Sequence, residues 1–249
     1  MTIDLSHRRI LVTGATQGLG LGIARSLASS GAALLLTDVD ARVRAHLEDP
    51  VFTRSVAVVQ DLAEPHAPEQ IMQEAVAHFG SLDGLINCAG WSLQRPLAEQ
   101  GLEEFDRLIA VNQRAPFFLC QQFVAQLTGR DTDPCIVNIA SVNAMIGNPR
   151  LVAYAGTKGA LLAMTRALAV ELAPRVRVIA ISPAGVRTDF TEQMIREGTF
   201  DAEASRRKRL IPRWIEVEEI GSLVAFLMSP AARSVTGSNW TFDGGYTAQ

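Results

Sequence analysis

Short apolar runs recur along this 249-residue chain, and between them lie longer stretches with apolar residues at helical spacing. That alternation restricts the fold more than any single motif does. Strands that read as near-continuous apolar runs are buried on both faces, and strands separated by helices are joined in parallel. "RILVTG" predicts the first strand and "GLGLGIARSLASSG" the helix after it, with Gly31 as its C-cap. "AALLLTD" and "SVAVVQDL" predict strands two and three, and "PEQIMQEAVAHFG" predicts a helix. "LDGLINCAG" carries strand four into a turn, ahead of a long helix from about Glu103 to Leu127. "CIVNIAS" is strand five, a second long helix covers about Val152 to Ala173, and "VRVIAISP" is strand six. The helix "EEIGSLVAFLMS" and a last short strand, "SNWTFD", complete the order. The expected architecture is α/β, a doubly wound parallel sheet of about seven strands with helices on both faces. With no internal repeat or linker, one domain spans 1–249. The least regular stretch, 189–213, is expected to form a mobile lobe over a site.

Composition narrows the function classes. The chain is 48% hydrophobic and 20% charged, which is globular and not disordered. A net charge of -3 argues against nucleic-acid binding, which favours a basic excess. No uncharged run is long enough to cross a bilayer, and the N-terminus lacks the pattern of an export signal, so a cytoplasmic location is expected. Cys88, Cys120 and Cys135 form no CxxC pair or Cys/His cluster; they read as buried free thiols, and no metal site is expected.

The first strand runs directly into "TGATQGLG". Gly14, Gly18 and Gly20 let the backbone turn sharply and approach a pyrophosphate at a helix N-terminus, with Gln17 and Leu19 between them. Strand two ends in Asp38, about twenty residues on, where a carboxylate can hold the adenosine ribose hydroxyls and repel a 2′-phosphate. Gln17 offers no compensating cation. The pattern therefore predicts NAD, not NADP. The competing reading is that Asp38 caps a strand end, and Asp40 is a rival acid beyond that end. Asp61 and Leu62 follow strand three; Asn87, Ala89 and Gly90 follow strand four in "NCAG". Ligands of such sheets bind beyond the carboxyl ends of the strands. Singly, these residues also suit turns and helix starts.

"TGATQGLG", "DL", "NCAG", Asn112 in "VNQ", Ser141 in "NIAS", "YAGTK", "SPAGVRT" and "DGG" occur in that order. In this the chain resembles the short-chain dehydrogenase/reductase family over its full length. The resemblance implies a single Rossmann-type domain, a nicotinamide cofactor, commonly a homotetramer, and a catalytic set on Asn112, Ser141, Tyr154 and Lys158. It also implies cofactor contacts from Pro183, Val186 and Thr188, and a water held by Asn112 that links Lys158 to solvent. One departure is visible: Pro183 is followed by Ala184 where the family usually has glycine.

Tyr154 and Lys158, four residues apart, share one face of a helix near its positive end. A free tyrosine titrates near ~10 and is a poor base at neutral pH. A neighbouring ammonium and a positive nicotinamide are expected to lower that value. Tyr154 then takes a hydroxyl proton as hydride leaves the carbon, or protonates a carbonyl in reverse. Ser141 can hydrogen-bond the substrate oxygen. The expected substrate is a secondary alcohol, such as a sugar, polyol or sugar acid, converted to a ketone or lactone. The polar candidates are Gln94, Arg95, Asn143 and Arg150, with Asn148 nearby. Arg95 and Arg150 suggest an anionic substrate, or else two solvated arginines. "RRKR", 206–209, reads as a solvated helix face. A 3-oxoacyl-type carbonyl reductase and a non-catalytic NAD-binding scaffold are the alternative readings. The first would usually need NADPH.

Overall fold

The computed structural model describes residues 3–127, 133–197 and 202–248. Its strands are β1 (Arg9–Thr13), β2 (Ala33–Asp38), β3 (Val56–Val59), β4 (Gly84–Asn87), β5 (Cys135–Ile139), β6 (Arg177–Pro183) and β7 (Asn239–Phe242). They form one sheet in the order β3-β2-β1-β4-β5-β6-β7, parallel throughout. The order reverses at β1, so the ends of β1 and β4 diverge and open a crevice. The helices are α1 (Gly18–Ser29), α2 (Ala67–Phe79), α3 (Leu102–Ile109), α4 (Ala115–Ala125), α5 (Val152–Leu172), α6 (Asp189–Arg196), α7 (Ala202–Arg207) and α8 (Val217–Met228).

Alternation along the strands builds two apolar layers. Ile10 and Val12 of β1 join Ile23 and Leu27 of α1 and Ile220 and Val224 of α8 on one face. Leu11, between them, joins Ile71 of α2, Leu119 and Phe123 of α4 and Leu172 of α5 on the other. All eight of the helical residues named here are buried to within a few per cent, which makes the sheet a rigid platform for its own carboxyl edge.

Three features depart from the sequence expectations. The helix expected over 103–127 is two helices joined by a π turn, Ala110–Arg114. Pro116 has no N–H for the Asn112 carbonyl four residues earlier, so an α-helical bond is unavailable there. The ladder instead adds a residue, and the Ala115 N–H donates to the Ala110 carbonyl. The chain between β2 and β3, where no periodicity predicts an element, winds through 3-10 turns at Ala41–Glu48 and Pro50–Phe52. The stretch 189–213 contains α6 and α7, while 198–201 lie outside the described residues. Within "RRKR", Arg209 is not solvated: it is buried, donates to the Arg213 carbonyl at 2.7 Å and lies over the Trp214 ring. Among the described residues no helix is long and apolar enough to cross a membrane.

Candidate active site

A cleft of about 730 Å³ runs along the carboxyl edge of the sheet. The turn after β1 forms its floor. Gly14 has φ +71°, and a Cβ there would lie 2.8 Å from the Ala89 Cα, so the β1 and β4 turns touch only because this residue is glycine. Thr13, which the sequence reading passed over, locks the two turns together: its Oγ accepts from the Cys88 and Ala89 N–H groups, both at 3.0 Å. Gln17, Gly18, Leu19 and Gly20 border the cleft where α1 begins. No side chain caps that helix, and its first turn carries no acid. Its N–H groups and positive end therefore suit a pyrophosphate.

Asp38 stands at the far end of this floor. Its carboxylate accepts from the Thr16 N–H at 3.0 Å and the Asp40 N–H at 3.1 Å, which ties it to the glycine loop. Asp40 is not its rival: it accepts from Arg42, caps the following 3-10 turn, and does not border the cleft. Asp40 also occupies Arg42, the cation nearest in sequence. Asp61 and Leu62 line the cleft, and Asp61 additionally caps the turn after β3 and pairs with Arg107 at 3.0 Å. Ala89 and Gly90 line it too. Asn87 does not, contrary to expectation. It is the last residue of β4, level with Asn138 of β5, and alternation turns its amide into the interior to donate to Asn138 at 2.8 Å.

Ser141 ends the loop from β5, and α5 brings Tyr154 and Lys158 against it; all three border the cleft. The Lys158 ammonium donates to the Ile139 carbonyl at 2.8 Å and sits 5.8 Å from the Tyr154 ring centre. Burial pushes Lys158 down to about 8. Burial also raises Tyr154 above its ordinary value, opposed by its hydrogen bond with Ser141. The expected lowering of Tyr154 by the ammonium is therefore not supplied by the protein alone: desolvation of both groups dominates at this depth. Asn112, fully buried at the π turn, donates to the Trp91 carbonyl and accepts from the Trp91 N–H, both at 2.8 Å. It lies behind the cleft wall, not on its surface. Gly90 separates it from Lys158, since a Cβ there would fall 3.3 Å from the ammonium and 3.6 Å from the Asn112 side-chain oxygen Oδ1.

Pro183, Val186 and Thr188 close the opposite wall, together with Ala184. The Ala184 N–H continues the sheet, donating to the Phe242 carbonyl at 3.0 Å. Four expected substrate contacts fall elsewhere. Gln94 and Arg95 face outward, on the far side of buried Leu93, and Arg95 pairs with Glu104 at 3.1 Å. Arg150, at φ +69°, offers its carbonyl to the Arg95 N–H and does not border the cleft. Asn143 reaches the site only through Ser141, to which its amide donates at 3.2 Å. Val39, Gln60, Ser92, Arg107 and Val111 line the cleft without having been singled out; apart from Arg107, nothing in their chemistry marks them in a sequence.

The architecture has close relatives. A family model described as "Enoyl-(Acyl carrier protein) reductase" matches residues 14–247. The chain is 30% identical to 5-keto-D-gluconate 5-reductase of Escherichia coli (strain K12), over 97% of this chain and 96% of that one. It is 32% identical to cyclopentanol dehydrogenase of Comamonas sp., over 98% of each. Among solved structures, a glucose/ribitol short-chain dehydrogenase/reductase from Brucella melitensis superposes with a TM-score of 0.90 at 32% identity, over 99% of both chains. A 3-ketoacyl-(acyl-carrier-protein) reductase from the same organism, complexed with NADH, gives 0.91 at 29% identity, over 98% of this chain and 100% of that one. A structure from Agrobacterium tumefaciens with bound NADP gives 0.88 at 29%, over 100% and 99%. The glycine-floored cleft fits a nicotinamide cofactor of the kind bound in the last two of these structures. The chain is an oxidoreductase of CH–OH groups and belongs to the short-chain dehydrogenase/reductase family.

Proposed function

We propose that the protein uses NAD to interconvert a secondary alcohol and its ketone or lactone, the alcohol being a sugar, polyol or sugar-acid hydroxyl. The observation that carries the NAD preference is Asp38, held at the cleft rim by the Thr16 and Asp40 N–H groups with Arg42 engaged by Asp40. A carboxylate so placed accepts from two ribose hydroxyls and repels a 2′-phosphate. The glycine-lined start of α1 would hold the pyrophosphate, and Val186 and Thr188 the nicotinamide end. The bound nicotinamide supplies the hydride acceptor or donor and, when oxidised, a positive charge. Tyr154 takes the substrate hydroxyl proton, or returns it to a carbonyl oxygen. Ser141 donates to the same oxygen, and the Lys158 ammonium, 5.8 Å from the Tyr154 ring centre, acts together with the oxidised nicotinamide against the burial that raises the phenol, while Asn112 shapes the wall behind it.

The relatives that act on ketogluconate and cyclopentanol support a hydroxylated or alicyclic substrate. A carrier-protein reductase remains the second reading, because a relative of that name is complexed with NADH. NADH formation should be followed with D-gluconate, xylitol, cyclopentanol, D-β-hydroxybutyrate and a 3-hydroxyacyl thioester, with NADP⁺ run beside NAD⁺. A higher kcat/KM with NADP⁺ would overturn the Asp38 argument, and turnover confined to the thioester would select the second reading. Homotetramer assembly belongs to the same proposal. Exposed Phe105, Phe117, Phe118, Val152 and Val170 on α3, α4 and α5 support it, and light scattering of the purified protein tests it.

A further inference from the structure

A chain of hydrogen bonds enters the site from outside the cleft. The Ser141 hydroxyl oxygen accepts from both the backbone N–H and the side-chain amide of Asn143, each at 3.2 Å. The Asn143 carbonyl oxygen in turn accepts from the Asn148 amide at 2.7 Å. The Asn148 oxygen faces two donors at longer range, the Lys208 ammonium at 3.5 Å and the Tyr246 hydroxyl at 3.4 Å. Lys208 also lies 5.7 Å from the Tyr246 ring centre. Each outer residue is held by its own anchor. Arg209, next to Lys208, is buried, and Asp243 ties down the last turn by accepting from Gly245 and Thr247.

The chemistry of these groups gives the chain one direction. An ammonium has donors and no acceptor, whereas an amide has one end of each kind. With Lys208 outside, Asn148 must present its oxygen outward and its N–H groups to Asn143. Asn143 then presents its own N–H groups to Ser141. A hydroxyl has two lone pairs and one proton. Both lone pairs of Ser141 are engaged by Asn143, so its proton is left to point at Tyr154 and the space beside it. A serine in this state polarises a carbonyl; one free to rotate does so only part of the time.

We propose that Asn143, oriented through Asn148 by Lys208 and Tyr246, is a positioning residue that holds the Ser141 hydroxyl as a donor to the reacting oxygen. This rests on the reading that Tyr154 and Ser141 act on that oxygen. It brings the segment after α7 and the C-terminal turn into the catalytic step without contact with substrate.

The test uses the full-length protein and whichever alcohol of the panel above it turns over fastest. Asn143→Ala removes one donor and should lower kcat about tenfold. Asn143→Asp keeps the shape but can only accept, turning the Ser141 proton away; kcat should fall about 100-fold. In both, NADH affinity by fluorescence should stay within about twofold, because the loss lies in the transition state. The double variant Lys208→Met, Tyr246→Phe should lower kcat roughly threefold, and should lower it no further when added to Asn143→Ala. Wild-type kcat in both Asn143 variants overturns the proposal, as does full additivity with the outer pair. Tyr154→Phe separates the two levels of argument. If it is inactive while the Asn143 variants keep full kcat, only the positioning role fails. If it turns over normally, the reading of the site fails and takes the positioning role with it.

Discussion

The two ends of the cleft are built differently. At the cofactor end, Gly14 and Thr16 lie in the turn after β1 and Asp38 ends the adjacent β2, and their contacts are mostly with backbone groups. At the substrate end, Ser141, Asn148, Lys208 and Tyr246 come from three separated segments, joined by side chains across as many as 98 positions. A dinucleotide has one shape, which strand ends and a glycine turn can match through backbone alone. A variable substrate calls for side chains that can change one at a time while the platform stays fixed. The first end is therefore set by spacing, and the second by neighbours.

That contrast can be broken or sharpened by experiment. The largest effect is expected where the ends meet. Tyr154→Phe should lower kcat by about 10²–10⁴-fold while NADH still binds, and steady-state kinetics with a binding titration would check both. Substantial remaining turnover would mean that a different base lies at the junction. At the cofactor end, Asp38→Asn should reduce kcat/KM for NAD⁺ by about 10–100-fold and narrow the gap to NADP⁺. An unchanged cofactor ratio would show that the carboxylate serves only to tie Thr16 and Asp40.

Lys158 links function with stability. Burial lowers its value from the ordinary 10.5 to about 8, so the unfolded chain holds the proton more tightly than the folded one. The resulting cost to the fold is full below pH 8 and fades as pH rises toward 10.5. Lys158→Met should therefore be inactive yet more stable at pH 7, by on the order of 1–3 kcal/mol, with the gain vanishing near pH 10.5. Denaturant melts across that range would show the slope, and a variant less stable at every pH would mean that the Ile139 hydrogen bond outweighs burial. The smallest effect is expected at the outer arginines. Arg95→Ala and Arg150→Ala should change the ratio of acid to polyol turnover by less than about twofold. A larger change would carry the substrate end beyond the cleft described here.

Much of the cofactor end was legible in the chain. Asp38, Gly14 and Tyr154 each sit where a strand or helix end must place them, because the period of the element fixes the position. Asn87 was misplaced for the same reason: its number put it at a strand end, but its alternation sends its side chain inward beside Asn138. Arg95 and Arg150 read either as anion ligands or as solvated residues, because charge can be read in a sequence and its partner cannot. Glu104, which occupies Arg95, lies on another element. Pro116 was visible throughout, although the π turn it produces at Asn112 depends on the helix continuing on both sides.

The sequence by itself determined the succession of strands and helices along the chain, the burial of the sheet on both faces, and most of the residues that reach its carboxyl edge, since these follow from periodicity and from where glycine is required. Only the tertiary structure decided which way side chains point once they arrive and what charge they carry. Direction is set by partners far along the chain, as Lys208 and Tyr246 orient Asn148. Charge is set by desolvation, a property of all the surrounding atoms, as in the raised Tyr154 and the lowered Lys158.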